Sequence, residues 1–153
     1  MQRLVFPALA AACLVHGAIS AAPAVPEPEL DALYAEVEPV YLDLHRHPEL
    51  SLHETRTAAL LSGDLRKQGF EVTEHVGGTG IVGVLRNGPG KTVMLRTELD
   101  ALPVEEKTGL SYASQAHAKD PAGRDVPVGH MCGHDLHMSA LVATAPTTET
   151  VVL

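Results

Sequence analysis

Residues 129–137 read Gly-His-Met-Cys-Gly-His-Asp-Leu-His, which places His130, Cys132, His134, Asp135 and His137 within nine positions. Thiolate and imidazole together suit zinc and other late divalent transition metals. Cys132 and His134 are separated by one residue, so both side chains can meet one ion from one short loop, with Asp135 available to orient an imidazole. Gly129 and Gly133 give the backbone room to converge these groups. The plainer reading is a polar loop of solvated histidines. A second candidate lies upstream, where Glu98 and Asp100 alternate with Thr97 and Leu99. If a strand persists there, both carboxylates project to one side. Active-site groups in α/β sheets favour the carboxyl ends of strands. On its own the pair is weak, because acids at strand ends are usually solvated; the Cys-His cluster some thirty residues later gives it weight.

The elements that must position these groups follow from periodicity. Leu33, Val37, Val40, Tyr41 and Leu44 recur at helical intervals and predict a helix over 31–45, with Pro39 as a kink or break. Ser51 and Glu54 have the spacing of a capping box and open a predicted helix over 53–68 that carries Ala58, Leu61 and Leu65 on one face and ends near Gly69. Strands are expected near 71–75, 80–86 and 91–97, separated by the turns Gly77-Gly78-Thr79-Gly80 and Asn87-Gly88-Pro89-Gly90. The first turn lacks the spacing and the lysine of a phosphate-binding loop. A last helix is predicted over 136–145, with Met138, Leu141, Val142 and Ala145 as its buried stripe. Helices alternating with strands predict a layered α/β domain.

The chain has 153 residues, 45% of them hydrophobic and 20% charged, which are globular proportions. A net charge of −8 argues against a nucleic-acid partner. Residues 1–20 resemble a secretory signal: Arg3 precedes the apolar run Leu4–Val15, and Ala18 and Ser20 form a small-x-small cleavage site. A lipoprotein anchor at Cys13 competes, but Ala10 stands where such signals prefer a larger aliphatic residue. The expected organisation is a signal at 1–20, an extended proline-containing linker at 21–30, and a mature domain at 31–153 that is periplasmic or secreted, with no membrane span once the signal is removed. Cys132 then remains alone and cannot form an internal disulfide; metal ligation suits it best.

Four motifs occur in a fixed order: His45-Arg46-His47-Pro48-Glu49-Leu50-Ser51, Gly78-Thr79-Gly80, Glu98-Leu99-Asp100-Ala101-Leu102-Pro103, and Gly129 to Met138. Together they resemble the amidohydrolase branch of the zinc aminoacylase and carboxypeptidase family, over roughly residues 31–145. The resemblance implies the amino-terminal part of a three-layer α/β catalytic domain of the zinc-aminopeptidase kind. It implies two divalent metals per full-length site (zinc, manganese, cobalt or nickel) and hydrolysis of the amide bond in N-acyl amino acids or dipeptide-like substrates. It also makes Cys132 and His134 metal ligands and sets Asp100 beside the metals. Asp135 and His137 share the motif without an equally clear role.

Two departures from the family pattern stand out. Glu98 replaces the aspartate of many relatives, and the extra methylene argues against direct metal binding. The likeness stops near Ala145, short of the glutamate pair that includes the general base, the further histidines and the dimerisation domain of full-length members, so homodimers are expected only of a full-length form. The expectation is therefore a truncated chain, inactive alone, which can leave an apolar sheet edge exposed. The alternatives are a non-catalytic metal-binding fragment or an extracytoplasmic module with a structural zinc site.

Overall fold

The computed structural model describes residues 26–86, 88–89, 91–145 and 150–152. The predicted signal, the first half of the predicted linker and part of the 87–90 turn lie outside the described residues.

Helix α1 spans Glu27–Arg46. It starts within the stretch expected to be an extended linker, because an acid- and proline-bearing opening is well suited to the first turn of a helix. Pro39 sits inside α1 without ending it. Proline removes one backbone hydrogen bond, but Val40 packs on the core and Leu44 is fully buried, so tertiary contact carries the helix through. Helix α2 spans Thr55–Lys67 and buries Ala58, Leu61 and Leu65, as their spacing predicts.

The start of α2 corrects the capping box. Ser51 lies in an exposed turn, and no side chain of the N-cap residue closes the helix. Glu49 does so instead: its carboxylate accepts the amides of Arg56 at 3.1 Å and Thr57 at 2.7 Å. A carboxylate there satisfies orphan N–H donors and faces the positive end of the helix. Glu54 turns inward and accepts the Thr79 hydroxyl at 2.5 Å, tying α2 to the glycine-rich turn.

Strands β1 (Glu71–Val76) and β2 (Gly80–Val84) form an antiparallel hairpin around that turn. Strand β3 covers Met94–Arg96, shorter than the expected 91–97. Strands β4 (His117–Lys119) and β5 (Asp125–Pro127) form a separate hairpin. Helix α3 spans His134–Thr144, and strand β6 spans Thr150–Val152. The main sheet has the order β1-β2-β6-β3, with β6 antiparallel to β2 and parallel to β3. Periodicity did not predict β4, β5 or β6, since three residues are too few to display a period.

One core joins Leu44 of α1, Leu61 and Leu65 of α2, Ile81 of β2, and Met138, Leu141 and Val142 of α3 with Ala145 at its C-terminal cap. All four stripe residues predicted for α3 are therefore buried. Gly83 lets α2 lie close on the sheet, since a Cβ there would stand 3.1 Å from Leu65 Cδ1 and 3.2 Å from Phe70 Cδ1. A smaller cluster of Leu50, Ala101 and Val128 packs beneath the β4–β5 hairpin. Bridges from Leu50 to Ala101 and from Leu102 to Gly129 thread residues 99–102 between the two motif-bearing loops. The architecture is the expected α/β class.

Candidate metal centre

The chain leaves β3 at Arg96 and passes Glu98 and Asp100 in open backbone, so the strand that would have aligned the two acids ends before them. They still reach one place, because α3 begins beside them. Gly133 takes a left-handed conformation, φ 74°, and turns the chain so that the helix starts at His134. That conformation is open to glycine and strained for most residues. Gly129 serves differently from the expected backbone freedom: a Cβ there would lie 3.1 Å from the Val104 carbonyl oxygen, so its role is close approach.

His134 donates its Nδ1–H to the Asp100 carbonyl at 2.7 Å, and an Asp100 carboxylate oxygen stands 3.2 Å from the same nitrogen. A carbonyl only accepts, so the proton is on Nδ1 and the Nε2 lone pair is left for a metal. Metal-bound histidines are commonly held this way through the second ring nitrogen. His137, one turn further, lies 3.9 Å from Glu98, which is itself ion-paired with Arg96. The His134 and His137 ring centroids are 6.0 Å apart. Cys132 is a free, exposed thiol. Among the described residues no three His, Cys, Asp or Glu side chains already converge as a metal cage. A cavity of 310 Å³ adjoins the acids and is lined by Glu54, Thr79, Arg96, Thr97, Glu98 and Asp100 among others.

Asp135 orients an imidazole, and that imidazole is His45. The His45 Nδ1–H meets Asp135 Oδ2 at 2.6 Å, and its Nε2–H meets Glu106 Oε1 at 3.1 Å. His45 and Asp135 are buried, and the Glu106 side chain is enclosed. Burial pulls the His45 pKa down, but hydrogen bonds and charge from Asp135 and Glu106 outweigh it and hold the value above normal. Burial opposes the Glu106 charge, yet the Thr108 hydroxyl, the Ser114 amide and His45 hold its carboxyl below the usual range. His130 is also buried, with no hydrogen-bond partner on either ring nitrogen, and burial holds its pKa down.

Sequence reasoning singled out Cys132 and His134, with Glu98, Asp100, Asp135 and His137 around them. Of these the structure sets Asp100 against His134 and Glu98 near His137, while Asp135 faces His45 and Cys132 is exposed. Sequence reasoning missed His45 and Glu106 as functional side chains. Their partners are 90 and 61 positions away along the chain, and no periodic signal spans such separations. The only available cue was the presence of His45 in the first of the ordered motifs.

No family model matches the chain. Among curated proteins, it is 40% identical over 119 residues to the hippurate hydrolase of Campylobacter jejuni, covering 77% of this chain and 29% of that protein. It is 45% identical over 104 residues to thermostable carboxypeptidase 1 of Saccharolobus solfataricus, covering 67% of this chain and 24% of that protein. Its fold matches the crystal structure of a dinuclear metal-binding peptidase of the M20 family from Bacillus subtilis. That match has a TM-score of 0.66 and 27% identity, and covers 80% of this chain and 34% of the other. The chain thus spans less than a third of the curated relatives named here. The resemblance to amidohydrolases and carboxypeptidases, and to the α/β fold of their metal-dependent members, is borne out over that span.

Proposed function

We propose, on the premise that this chain is homologous to part of the M20-type amidohydrolases and carboxypeptidases, that it supplies one side of a two-metal centre. That centre would cleave the amide bond of N-acyl amino acids or small peptide-like substrates. Cys132 and His134 are the metal ligands contributed here, with zinc, manganese, cobalt or nickel as the candidate ions. When bound, such metals polarise the amide carbonyl and activate a water.

This chain's residues hold and orient. The 2.7 Å contact between His134 Nδ1 and the Asp100 carbonyl, which a protonated Nδ1 satisfies, is the single observation that carries the reading. The donors also fit in kind, since an exposed thiol and an imidazole with a free Nε2 are soft and borderline ligands for late divalent metals. Glu98 is paired with Arg96 and faces His137, which suits it to steering the helix face rather than to binding metal. The adjoining cavity, with Thr79, Thr97 and Arg96 on its wall, is the proposed seat of the substrate's polar end. A structural zinc site fits less well, because such sites are closed by four protein ligands and Cys132 is exposed. We further propose that residues 1–20 direct export to the periplasm or exterior.

The test is calorimetric titration of zinc, cobalt or manganese into the purified chain and its Cys132→Ser variant, followed by assay on N-acyl amino acids. Binding should occur and weaken at least tenfold in the variant, about the loss expected when one of few ligands goes. Turnover by these residues alone should be slight, because a catalytic zinc usually has three protein ligands. Equal binding by both proteins would remove Cys132 from the site.

A further inference from the structure

His45 makes an enclosed polar contact that the metal-ligand reading leaves unused. It sits in the last turn of α1, 7% exposed, with a carboxylate oxygen at each ring nitrogen. A carboxylate only accepts hydrogen bonds, so a ring that serves two of them carries both protons and is an imidazolium. The two acids are themselves anchored. Glu106 accepts the Ser114 amide at 2.6 Å and the Thr108 hydroxyl. Asp135 gives its second oxygen to the Leu136 amide at 2.9 Å, in the first turn of α3. Its backbone carbonyl accepts the Ser139 hydroxyl at 2.7 Å. The rings of Tyr41 and Tyr112 pack 5.5 and 5.3 Å from His45, and the buried His130, whose pKa is held down first by burial and further by the His45 charge, also faces it.

Three separate pieces of chain therefore meet at one cation: the end of α1, the loop through Glu106 and Ser114, and the first turn of α3. The residue before Asp135 is His134. From this juxtaposition we infer that His45 is a positioning residue: by bridging Asp135 and Glu106 it fixes the first turn of α3, and so holds His134 in register with the Asp100 carbonyl that sets its tautomer. The clamp stands on geometry alone; its consequence for metal binding rests on the proposed role of His134. Without the cation, two enclosed carboxylates would share a space with no donor between them, and like charges in a low-dielectric site push apart or take up a proton. Either response loosens α3 at its first turn.

The experiment compares the purified chain with His45→Gln, Glu106→Gln and an exposed control, Glu105→Gln. Ring nitrogen NMR of His134 without metal reports its tautomer, thermal unfolding reports the fold, and calorimetry with Co2+ reports binding. Wild type and control should show His134 protonated on Nδ1. The His45 and Glu106 variants should show mixed tautomers while keeping helical content, and should bind Co2+ about tenfold or more weakly, the range expected when the support of a metal ligand is lost. A folded His45→Gln protein with an unchanged His134 tautomer and unchanged Co2+ affinity overturns the inference. If wild type binds no Co2+, the metal reading fails, and the tautomer still decides the positioning role. If His45→Gln does not fold, Glu106→Gln, which keeps the His45–Asp135 contact, decides instead.

Discussion

His45 and Glu106 carry opposite charges whose pKa values are moved apart by folding, and this gives the clamp a pH dependence of definite sign. His45 is raised from its ordinary 6.5, so its stabilisation is complete below that value and fades as pH climbs through the raised one. Glu106 is lowered from 4.5, so its stabilisation is present above that value and is lost as pH falls through the lowered one. The contribution is therefore greatest between roughly pH 4.5 and 6.5. The gap in urea midpoint between wild type and His45→Gln should be widest there and should narrow as the solution is made more alkaline. A gap of constant size from acid to alkaline pH would show that the ring contributes only packing. The local ligand chemistry of residues 129–137 was readable because it is contiguous, whereas this clamp joins Glu106 to His45 and His45 to Asp135 across long stretches of chain.

At the level of elements, the glutamate of the first motif does unexpected work. Glu49 caps α2 with two amide hydrogen bonds, so Glu49→Ala should cost about 1–2 kcal/mol, the upper range for a lost helix cap, and Glu49→Gln less. Chemical denaturation measures both; a loss below a few tenths would return the cap to water or to Ser51. Gly83 sets the spacing between α2 and β2. Gly83→Ala should cost about 1–3 kcal/mol by overpacking against Leu65 and Phe70, with a lowered unfolding midpoint as the readout. These elements divide by how they could be recognised. The stripes Ala58-Leu61-Leu65 and Met138-Leu141-Val142-Ala145 predicted buried helix faces and are buried, because side-chain period and packing agree there. The capping box failed because Glu54 is drawn inward by Thr79 and a carboxylate from outside the helix, that of Glu49, took the cap. Strands β4, β5 and β6 escaped notice because each is defined by its partner rather than by its own pattern.

For the molecule as a whole, the proposed export is checked by amino-terminal sequencing of material from an exporting host, where a mature terminus near Ala21 is expected and one at Met1 would refute it. Among the described residues no helix is long and apolar enough to cross a membrane. The sheet raises a separate matter. In its order, β3 stands at one edge beside β6, and Val93 and Met94 on that margin are 52% and 64% exposed. An edge strand with unpaired amides and carbonyls and large apolar side chains is a template for another chain. The overall charge of −8 opposes association at long range, but salt screens it over about 10 Å at 0.1 M. Self-association of the purified chain should therefore rise with salt, and Met94→Lys should suppress it, since a charge on an edge is a common natural safeguard. Static light scattering between low and moderate salt measures this. The substitution leaves the Asp100–His134 contact untouched, so the variant should keep the metal affinity of wild type while staying monomeric. If Met94→Lys scatters like wild type at every salt concentration, the β3 margin is not the contact, and the exposed Tyr34 and Leu30 on α1 become the next surface to charge.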